Sequence, residues 1–199
     1  MKDEIKTSND IKSELRERAK AMYAALDMTY IKESSDAIAD ALFTMRWYRE
    51  AETVLCYINF GSEVMTSAIL EEAAASGKRI CIPRCIDNMH MEARIYCDAM
   101  GGELKKYKPV KGHYGISEPT ADAPLVEPRE IDFGIIPCVA CSRECVRLGH
   151  GGGYYDRFLK RSHMHTACLC FEKLIFEDLP KYEHDVLMDA VITENKIYK

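Results

Sequence analysis

The chain lacks any long apolar run, because none of its hydrophobic stretches approaches the roughly 18 residues of a membrane-spanning helix. Its polar beginning, Met1-Lys-Asp-Glu4, lacks the hydrophobic core of a signal peptide. An excess of basic residues is missing too, since 27 Lys and Arg against 32 Asp and Glu give a net charge of -5. We therefore expect a cytoplasmic protein that binds neither nucleic acid nor membrane and meets anionic ligands with local positive clusters.

Internal repeats and low-complexity segments are also missing. The composition, with 47% hydrophobic and 30% charged residues, is that of an ordinary globular protein. A chain of 199 residues is most simply one domain with a single core. We expect one domain over residues 1–199, with N-terminal helices over about residues 10–48 packed on an α/β core, and a monomer.

Cysteine is abundant, with nine residues, yet the two Cys-x-x-Cys pairs typical of many zinc sites are missing. Cys138, Cys141 and Cys145 fall at metal-like intervals without a second such pair. Free cysteine in an apolar run behaves as a small buried hydrophobic residue, and four cysteines lie in such runs: Cys56, Cys81, Cys168 and Cys170. We expect reduced thiols rather than a zinc site, and we interpret His163 and His165 as surface residues.

Apolar periodicity predicts two N-terminal helices. The first follows capping residue types at positions 8–10 and has its apolar positions at Ile11, Leu15, Met22 and Leu26. The second follows Ser34 and Ser35, with its apolar face at Ile38, Leu42 and Met45.

Apolar runs predict strands at residues 54–58, 79–82, 133–136, 166–170 and 189–193. The alternation of polar and apolar residues at 92–96 predicts a further strand that is half exposed. A helix from about Ser67 to Gly77 joins the first two as a βαβ unit, so these strands should be parallel. Pro83 should end the second strand. The pattern predicts a mostly parallel open sheet flanked by helices, a Rossmann-like three-layer fold. Such sheets bind ligands at the carboxyl ends of their strands, where the loops after residues 58 and 136 should share one crevice.

The stretch Arg147-Leu-Gly-His-Gly-Gly-Gly-Tyr-Tyr-Asp-Arg-Phe-Leu159 is the most informative part of the chain. Consecutive glycines adopt positive φ and let backbone N–H groups form an anion-binding nest, here before a helix predicted from Tyr154. The loop lacks the Gly-Lys-Ser/Thr ending of a Walker loop, and Tyr154 replaces the third glycine of the dinucleotide fingerprint. A glycine run alone is also compatible with a simple turn.

The full string Arg-x-Gly-x-Gly-Gly-Gly-Tyr-Tyr-Asp-Arg resembles the signature of the 5-formyltetrahydrofolate cyclo-ligase family, also called methenyltetrahydrofolate synthetases. Further stretches resemble the family's elements in the same order, so the resemblance covers about residues 12–194: Lys12–Arg16, Glu63–Thr66, Ile82–Arg84, Gly115–Pro119, His184–Asp185 and Met188–Glu194.

The chain departs from the family pattern in two places. Many relatives carry an acidic residue two positions after the glutamate, where this chain has Met65. Before the glycine loop they commonly have Pro-Gly, then Phe-Asp, then a glycine; here these are Pro137-Cys138, Cys141-Ser142 and Cys145. We expect the first change to alter the rim of a folate pocket and the second to alter the flexibility of the loop.

The resemblance implies a set of ATP-binding residues: Lys12, Arg16, Arg147, Gly149, Gly151, Gly152, Gly153, Tyr154, Tyr155 and Asp156. Lys12 and Arg16 are four apart on a helix, so both can reach one anion, although the spacing alone equally fits a solvated helix face. Asp156 is expected to bind magnesium beside the phosphates, and the resemblance makes Asp189 the second magnesium carboxylate. From the residues alone, Asp156 could equally be a helix-dipole partner.

The resemblance also implies folate-binding residues. Glu63 is expected to hydrogen-bond a pterin, since a carboxylate suits its amino and ring N–H groups, with Ile58 and Tyr155 as apolar neighbours. The sequence leaves open which of Tyr154 and Tyr155 faces the ligand.

The implied reaction is the ATP- and Mg²⁺-dependent cyclisation of 5-formyltetrahydrofolate, with or without a polyglutamate tail, to 5,10-methenyltetrahydrofolate, ADP and phosphate. A phosphorylated formyl group would be the intermediate, without a protein nucleophile. Two alternatives remain at this point: a sugar-phosphate isomerase or CoA-transferase-like enzyme on a related scaffold, and a non-catalytic folate- or nucleotide-binding regulator.

Overall fold

The computed structural model describes residues 8–98, 105–112 and 115–199. Its helices are α1 (Ser8–Ala24), α2 (Met28–Thr44), α3 (Arg46–Glu50), α4 (Ser67–Ala75) and α5 (Tyr154–Leu159). Its strands are β1 (Thr53–Cys56), β2 (Arg79–Cys85), β3 (Met91–Asp98), β4 (Lys105–Lys106), β5 (Val110–Lys111), β6 (Ser117–Glu118), β7 (Leu125–Val126), β8 (Phe133–Ile136), β9 (Ala140–Cys141), β10 (Arg147–Leu148), β11 (His165–Leu169), β12 (Ala190–Ile192) and β13 (Ile197–Tyr198).

The main sheet has the order β13-β12-β11-β8-β1-β2-β3-β4, with β7 beside β3. Its five central strands, β12, β11, β8, β1 and β2, are parallel, whereas β13, β3, β4 and β7 pair antiparallel at the two sides. The predicted mostly parallel α/β sheet is therefore confirmed. β1 lies between β2 and β8. After β1 the chain therefore forms β2 on one side of it and later forms β8 on its other side. This switch point sets the ligand crevice at the carboxyl ends of β1 and β8.

The βαβ unit β1–α4–β2 forms as predicted, but β2 does not end at Pro83. β1 pairs with β2 only as far as Cys81, while β3 continues to pair with β2 up to Cys85. One side of β2 is thus free of β1 beyond Cys81. A proline, which lacks an N–H, is tolerated at such a position.

The second helix begins earlier than the sequence pattern predicted. Asp27 is the N-cap of α2, and its side chain accepts a hydrogen bond from the Tyr30 N–H at 2.8 Å. Ser34 and Ser35, predicted to precede the helix, are buried within it. The Ser35 hydroxyl accepts a hydrogen bond from the Met65 N–H at 3.0 Å, so it positions the loop after β1 instead of capping a helix.

The core lies on both faces of the parallel strands, and its largest fully buried side chains include Tyr48, Phe133, Phe171 and Ile136. Burying one such apolar side chain contributes about 1.5–3 kcal/mol to stability. Along β3 the burial alternates, as predicted for a half-exposed strand. Within the described part of the chain, no helix combines the length and the hydropathy needed to cross a membrane.

A hairpin formed by β9 and β10 connects β8 to the glycine loop. Its turn contains Cys145 at a φ of 60°, in the left-handed region that favours glycine. The Cys145 N–H donates to the Ser142 carbonyl, and the Ser142 N–H donates to the Val146 carbonyl. The family pattern described above has a glycine shortly before the arginine; this chain places a cysteine in the backbone conformation that suits glycine.

Candidate ATP and folate site

The glycine loop has the backbone predicted for it at two positions. Gly151 has a φ of 104°, and Gly153 has a φ of 66° and forms the N-cap of α5. Gly152 is not among the positive-φ glycines, so the prediction is wrong there; a Cβ on Gly152 would instead meet the Tyr154 ring at 2.7 Å. Helix α5 has only 6 residues, so an anion at this loop would be held by local N–H groups and not by a long helix dipole.

Two arginines hold the carbonyl side of this loop. The Arg16 Nε donates to the Gly149 carbonyl at 2.8 Å, and Arg157 Nη2 donates to the Gly152 carbonyl at 2.7 Å. Arg16 thus reaches the glycine loop from α1, as predicted. Burial lowers the pKa of Arg16, and the nearby Asp185 carboxylate partly opposes that shift.

The buried Arg147 and the partly exposed Asp156 form an ion pair, with Arg147 Nη2 at 2.9 Å from Asp156 Oδ2. Arg147 Nη1 also donates to the Pro137 carbonyl at 3.3 Å, just past the end of β8, and Asp156 Oδ1 accepts from the Val186 N–H. Burial acts to lower the pKa of Arg147, but Asp156 and nearby thiols raise it by more, so the net pKa shift is upward. Arg147 therefore stays charged.

Lys12 faces the same region from α1. Its ammonium lies 2.6 Å from both carboxylate oxygens of Asp185, and both side chains are 9% exposed. Burial acts to raise the pKa of Asp185, but the hydrogen bonds from Lys12 and the Tyr182 N–H, together with the charges of Lys12 and His184, lower it by more in sum, so the net pKa shift is downward. The structure thus brings Lys12, Arg16 and Arg147 together around the loop, with two of the three paired to carboxylates.

Glu63 closes the other side of the crevice. Its Oε2 accepts a hydrogen bond from the Phe60 N–H at 2.9 Å, which folds the side chain back over the loop after β1. Its Oε1 lies 3.3 Å from Nε2 of His150 in the glycine loop. The two loops predicted to share one crevice are therefore in direct contact.

The two tyrosines of the loop have separate surroundings. Tyr155 lies between Arg147, whose guanidinium carbon is 5.5 Å from the ring centroid, and the carboxylate of Glu63. Burial raises the pKa of Tyr155 well above its ordinary value, and Glu63 adds to this shift. The Tyr154 hydroxyl donates to the Asp87 carbonyl at 3.0 Å, and its ring lies under Arg157. Of the two tyrosines, Tyr155 is the one with both Arg147 and Glu63 in its surroundings.

Asp189 lies one residue before β12, opposite Thr166 near the beginning of β11. Its Oδ2 accepts hydrogen bonds from the N–H and hydroxyl of Thr166, at 2.7 and 2.9 Å. Asp156, by contrast, is bound to Arg147 beyond the carboxyl end of β8. Asp156 and Asp189, the two predicted magnesium carboxylates, therefore share no hydrogen-bond partner among the described residues. The magnesium role of Asp189 stays a prediction.

Ile58, the remaining predicted residue, lines an open cleft of about 500 Å³ at the carboxyl end of β1. The cleft is also lined by Asn59, Thr66, Tyr96 and Lys106. Its volume lies within the range of small-molecule sites, roughly 300–1,000 Å³. Met65, where many relatives have an acid, packs against the hydrophobic core instead of carrying a charge to this rim.

Three residues of the crevice had no assigned role in the sequence: His150, Phe60 and Asp185. His150 contacts Glu63, and Asp185 neutralises Lys12. Phe60 is 56% exposed beside Glu63, although a large apolar side chain is normally buried. In the sequence, a role for Phe60 was indicated by nothing more than its position in a polar loop after a strand.

Fold and site together define an α/β protein in which a glycine-rich loop, three basic side chains from α1 and β10 and the carboxylate of Glu63 surround one crevice. A model of the 5-formyltetrahydrofolate cyclo-ligase family matches residues 7–194, and the chain belongs to this family of ligases.

Relatives from distant organisms share nearly the whole chain. A probable 5-formyltetrahydrofolate cyclo-ligase of Caenorhabditis elegans is 26% identical and covers 94% of each chain. The Saccharomyces cerevisiae 5-formyltetrahydrofolate cyclo-ligase is 28% identical over 89% of this chain and 92% of its own. The solved structure of Aquifex aeolicus 5,10-methenyltetrahydrofolate synthetase superimposes with a TM-score of 0.81 at 26% identity, covering 95% of this chain and 92% of its own.

Proposed function

We propose that this protein cyclises 5-formyltetrahydrofolate to 5,10-methenyltetrahydrofolate with ATP and Mg²⁺ as co-substrate and cofactor. The observation that carries the proposal is the contact between Glu63 and His150. It brings a carboxylate that could hydrogen-bond a pterin next to a glycine loop that could bind phosphate, so that both lie in one crevice. Family membership supports the folate reaction over a sugar-phosphate isomerase or a CoA transferase.

The triphosphate is proposed to bind at the glycine loop. Backbone N–H groups around Gly151 and Gly153 receive the phosphate oxygens, and Arg16 supplies positive charge from α1. Lys12 and Arg147 already have carboxylate partners, Asp185 and Asp156. Each would contact the phosphates either while it keeps its carboxylate partner or after it releases that partner. The positive charges of Lys12 and Arg147 would thus be balanced by the carboxylates before ATP binds and by the phosphates afterwards.

The chemistry of Asp156 fits a magnesium ligand. It is a carboxylate 22% exposed at the glycine loop, and Mg²⁺ usually takes one or two protein carboxylates together with phosphate oxygens. The metal would supply charge neutralisation on the transferred phosphoryl group. Arg147 would hold the Asp156 carboxylate in place through its 2.9 Å contact.

The folate is proposed to lie with its pterin against Glu63 and Tyr155 and to extend over Ile58 into the 500 Å³ cleft. The formyl oxygen attacks the γ-phosphorus, forming an O–P bond as the bond to ADP breaks. N10 then attacks the formyl carbon, the C–O bond to phosphate breaks, and N10 releases its proton. The protein aligns the two substrates and stabilises charge, which is sufficient for phosphoryl transfer.

The test is the appearance of the methenyl chromophore from 5-formyltetrahydrofolate. We expect turnover with ATP and Mg²⁺, none without nucleotide, and none when a chelator removes the metal. Stoichiometric release of ADP and phosphate should accompany the absorbance change. Turnover without nucleotide would contradict the proposal, and so would binding of both ligands without any product.

A further inference from the structure

Four cysteines that the folate reaction does not use lie together beneath the glycine loop. The Sγ atoms of Cys138, Cys141 and Cys170 all lie within 4.8 Å of one another. The Sγ of Cys168 lies 3.4 Å from that of Cys141. All four side chains are buried, at 3% exposure or less. We call these residues the four-cysteine group.

The fold explains why these sulfurs converge. Cys138 follows β8 and Cys141 is the last residue of β9, while Cys168 lies in β11, the neighbour of β8, and Cys170 directly follows β11. Two residues apart on an extended strand, Cys168 and Cys170 point to the same face. A Cys-x-x-Cys segment therefore meets a Cys-x-Cys strand, which replaces the second Cys-x-x-Cys pair that the sequence lacks.

We propose that the four-cysteine group binds one zinc ion, with Cys138, Cys141 and Cys170 as anchoring ligands and Cys168 as the fourth. Four sulfurs at about 2.3 Å from a tetrahedral zinc are separated by roughly 3.8 Å. Three of the sulfurs here lie within 4.8 Å of one another, and the fourth, that of Cys168, lies 3.4 Å from Cys141. A cluster with several metal atoms and bridging sulfides would hold its cysteines further apart. Magnesium is excluded by the ligands, since it requires oxygen.

The surrounding charge suits this occupant. Zinc with four thiolates carries a net charge of −2, which is costly to bury without compensation. Arg147 lies close enough to Cys138, Cys141 and Cys168 to interact electrostatically with all three. Its buried Nε has no hydrogen-bond acceptor in the described structure, so it is free to donate to a thiolate. Arg147 thereby offsets up to half of the site's net charge of −2, a positive charge that it shares with Asp156.

The site would connect two parts of the fold. Zinc would join the segment that carries the β9–β10 hairpin to the end of β11, and Arg147 on β10 in turn holds Asp156. Because the sulfurs are enclosed, the metal must enter as the chain folds, which couples zinc binding to stability.

The first experiment measures metal content in the full-length protein purified under reducing conditions from zinc-supplemented cells. We expect about one zinc per chain. Cys138→Ser and Cys170→Ser should each lose most of the zinc. Cys81→Ser is the matched control, because Cys81 is also a buried strand cysteine but donates to the Val54 carbonyl away from the group; it should keep the metal.

The second experiment remains informative if the serine variants fail to fold. The wild-type protein is unfolded with reductant and chelator, then refolded with Zn²⁺, with Co²⁺ or without metal. We expect a higher unfolding midpoint with Zn²⁺ and, with Co²⁺, the charge-transfer bands of tetrahedral thiolate coordination. A metal-free protein with an unchanged midpoint would overturn the proposal. So would a mass 2 Da lower at Cys141 and Cys168, which would identify a disulfide instead.

Discussion

His150 in the glycine loop and Glu63 after β1 lie 87 residues apart in sequence, yet their side chains approach to 3.3 Å. Neither belongs to the main sheet: Glu63 lies in the loop after β1, and His150 lies in the loop that the β9–β10 hairpin connects to β8, the neighbour of β1. The proposed folate and nucleotide subsites are therefore in contact with each other through these two side chains. This contact also allows the two subsites to be tested one at a time.

The first prediction concerns Glu63. Glu63→Ala should raise the folate KM while leaving ATP affinity in the absence of folate almost unchanged, because the carboxylate is proposed to grip only the pterin. Losing a charge-assisted hydrogen bond costs about 1.5–3 kcal/mol, a roughly tenfold to hundredfold weakening. Steady-state kinetics and an ATP titration measure the two effects.

His150→Ala is the matched control for Glu63, because it removes the same 3.3 Å contact but keeps the carboxylate. We expect it to leave the folate KM near the wild-type value. If the Glu63 variant saturates normally with folate and loses ATP binding, the two substrates have been assigned to the wrong sides of the crevice.

The second prediction concerns Asp156. Asp156→Asn should lower kcat by about a hundredfold or more, because an amide is a weaker magnesium ligand than a carboxylate. The structure adds a second effect: the Arg147 guanidinium loses the charge of its 2.9 Å partner, so the thermal midpoint should also fall. The Mg²⁺ concentration for half-maximal activity separates the two, since it rises only if the carboxylate binds metal. An unchanged Mg²⁺ requirement would leave Asp156 as a purely structural partner.

The third prediction concerns the backbone of the glycine loop. Gly151→Val should weaken ATP binding far more than folate binding, because a β-branched residue resists a φ of 104°. Gly77→Val is the matched control: its φ is 82°, and it follows α4 instead of lying in the glycine loop. It should lower stability without changing ATP affinity. Calorimetric titration of both ligands decides the matter, and equal weakening for both would indicate a misfolded loop.

Much of this arrangement was predictable because local patterns encode it. The apolar runs predicted the parallel strands, and the ends of β1 and β8 then placed Glu63 near the glycine loop. The start of α2 was not predictable in this way, because a serine that caps a helix and a serine buried inside one look alike in sequence. Ser35 could be distinguished only by its long-range bond to the Met65 N–H.

The four-cysteine group shows the same limit. Cys168 and Cys170 were correctly interpreted as buried strand residues, and that interpretation argued against a metal. Their neighbours Cys138 and Cys141 arrive through a β8–β11 pairing whose register no local pattern specifies. The magnesium assignment of Asp189, which came from the resemblance, likewise had no local pattern that could place it relative to Asp156.

The fourth prediction concerns Cys145, where the backbone φ is 60°. In an ordinary conformation alanine is the more stable residue, because glycine loses more chain entropy on folding. At a left-handed position a Cβ costs roughly 1–2 kcal/mol, so the order should reverse. We expect Cys145→Gly to be more stable than Cys145→Ala by about 1 kcal/mol, measured by denaturant unfolding. An alanine variant that equals or exceeds the glycine variant would show that this turn relaxes without strain.

The last prediction concerns the buried pair of Lys12 and Asp185. The pKa of Asp185 is lower in the folded protein than its ordinary value of about 3.9. A carboxyl group shifted in this direction contributes stability that is fully present above about pH 4 and is lost as the pH falls through the folded pKa. Asp185→Asn should therefore lower the free energy of unfolding by about 2 kcal/mol near pH 7, the scale of a charged hydrogen bond. Below pH 4 the wild-type and variant curves should converge, because the protonated carboxyl is also neutral.

Asp36→Asn is the control, since Asp36 pairs with Lys32 on the exposed face of α2 and should change stability little at any pH. Parallel curves for Asp185→Asn and wild type down to pH 2 would show that the ion pair does not stabilise the contact between α1 and the crevice.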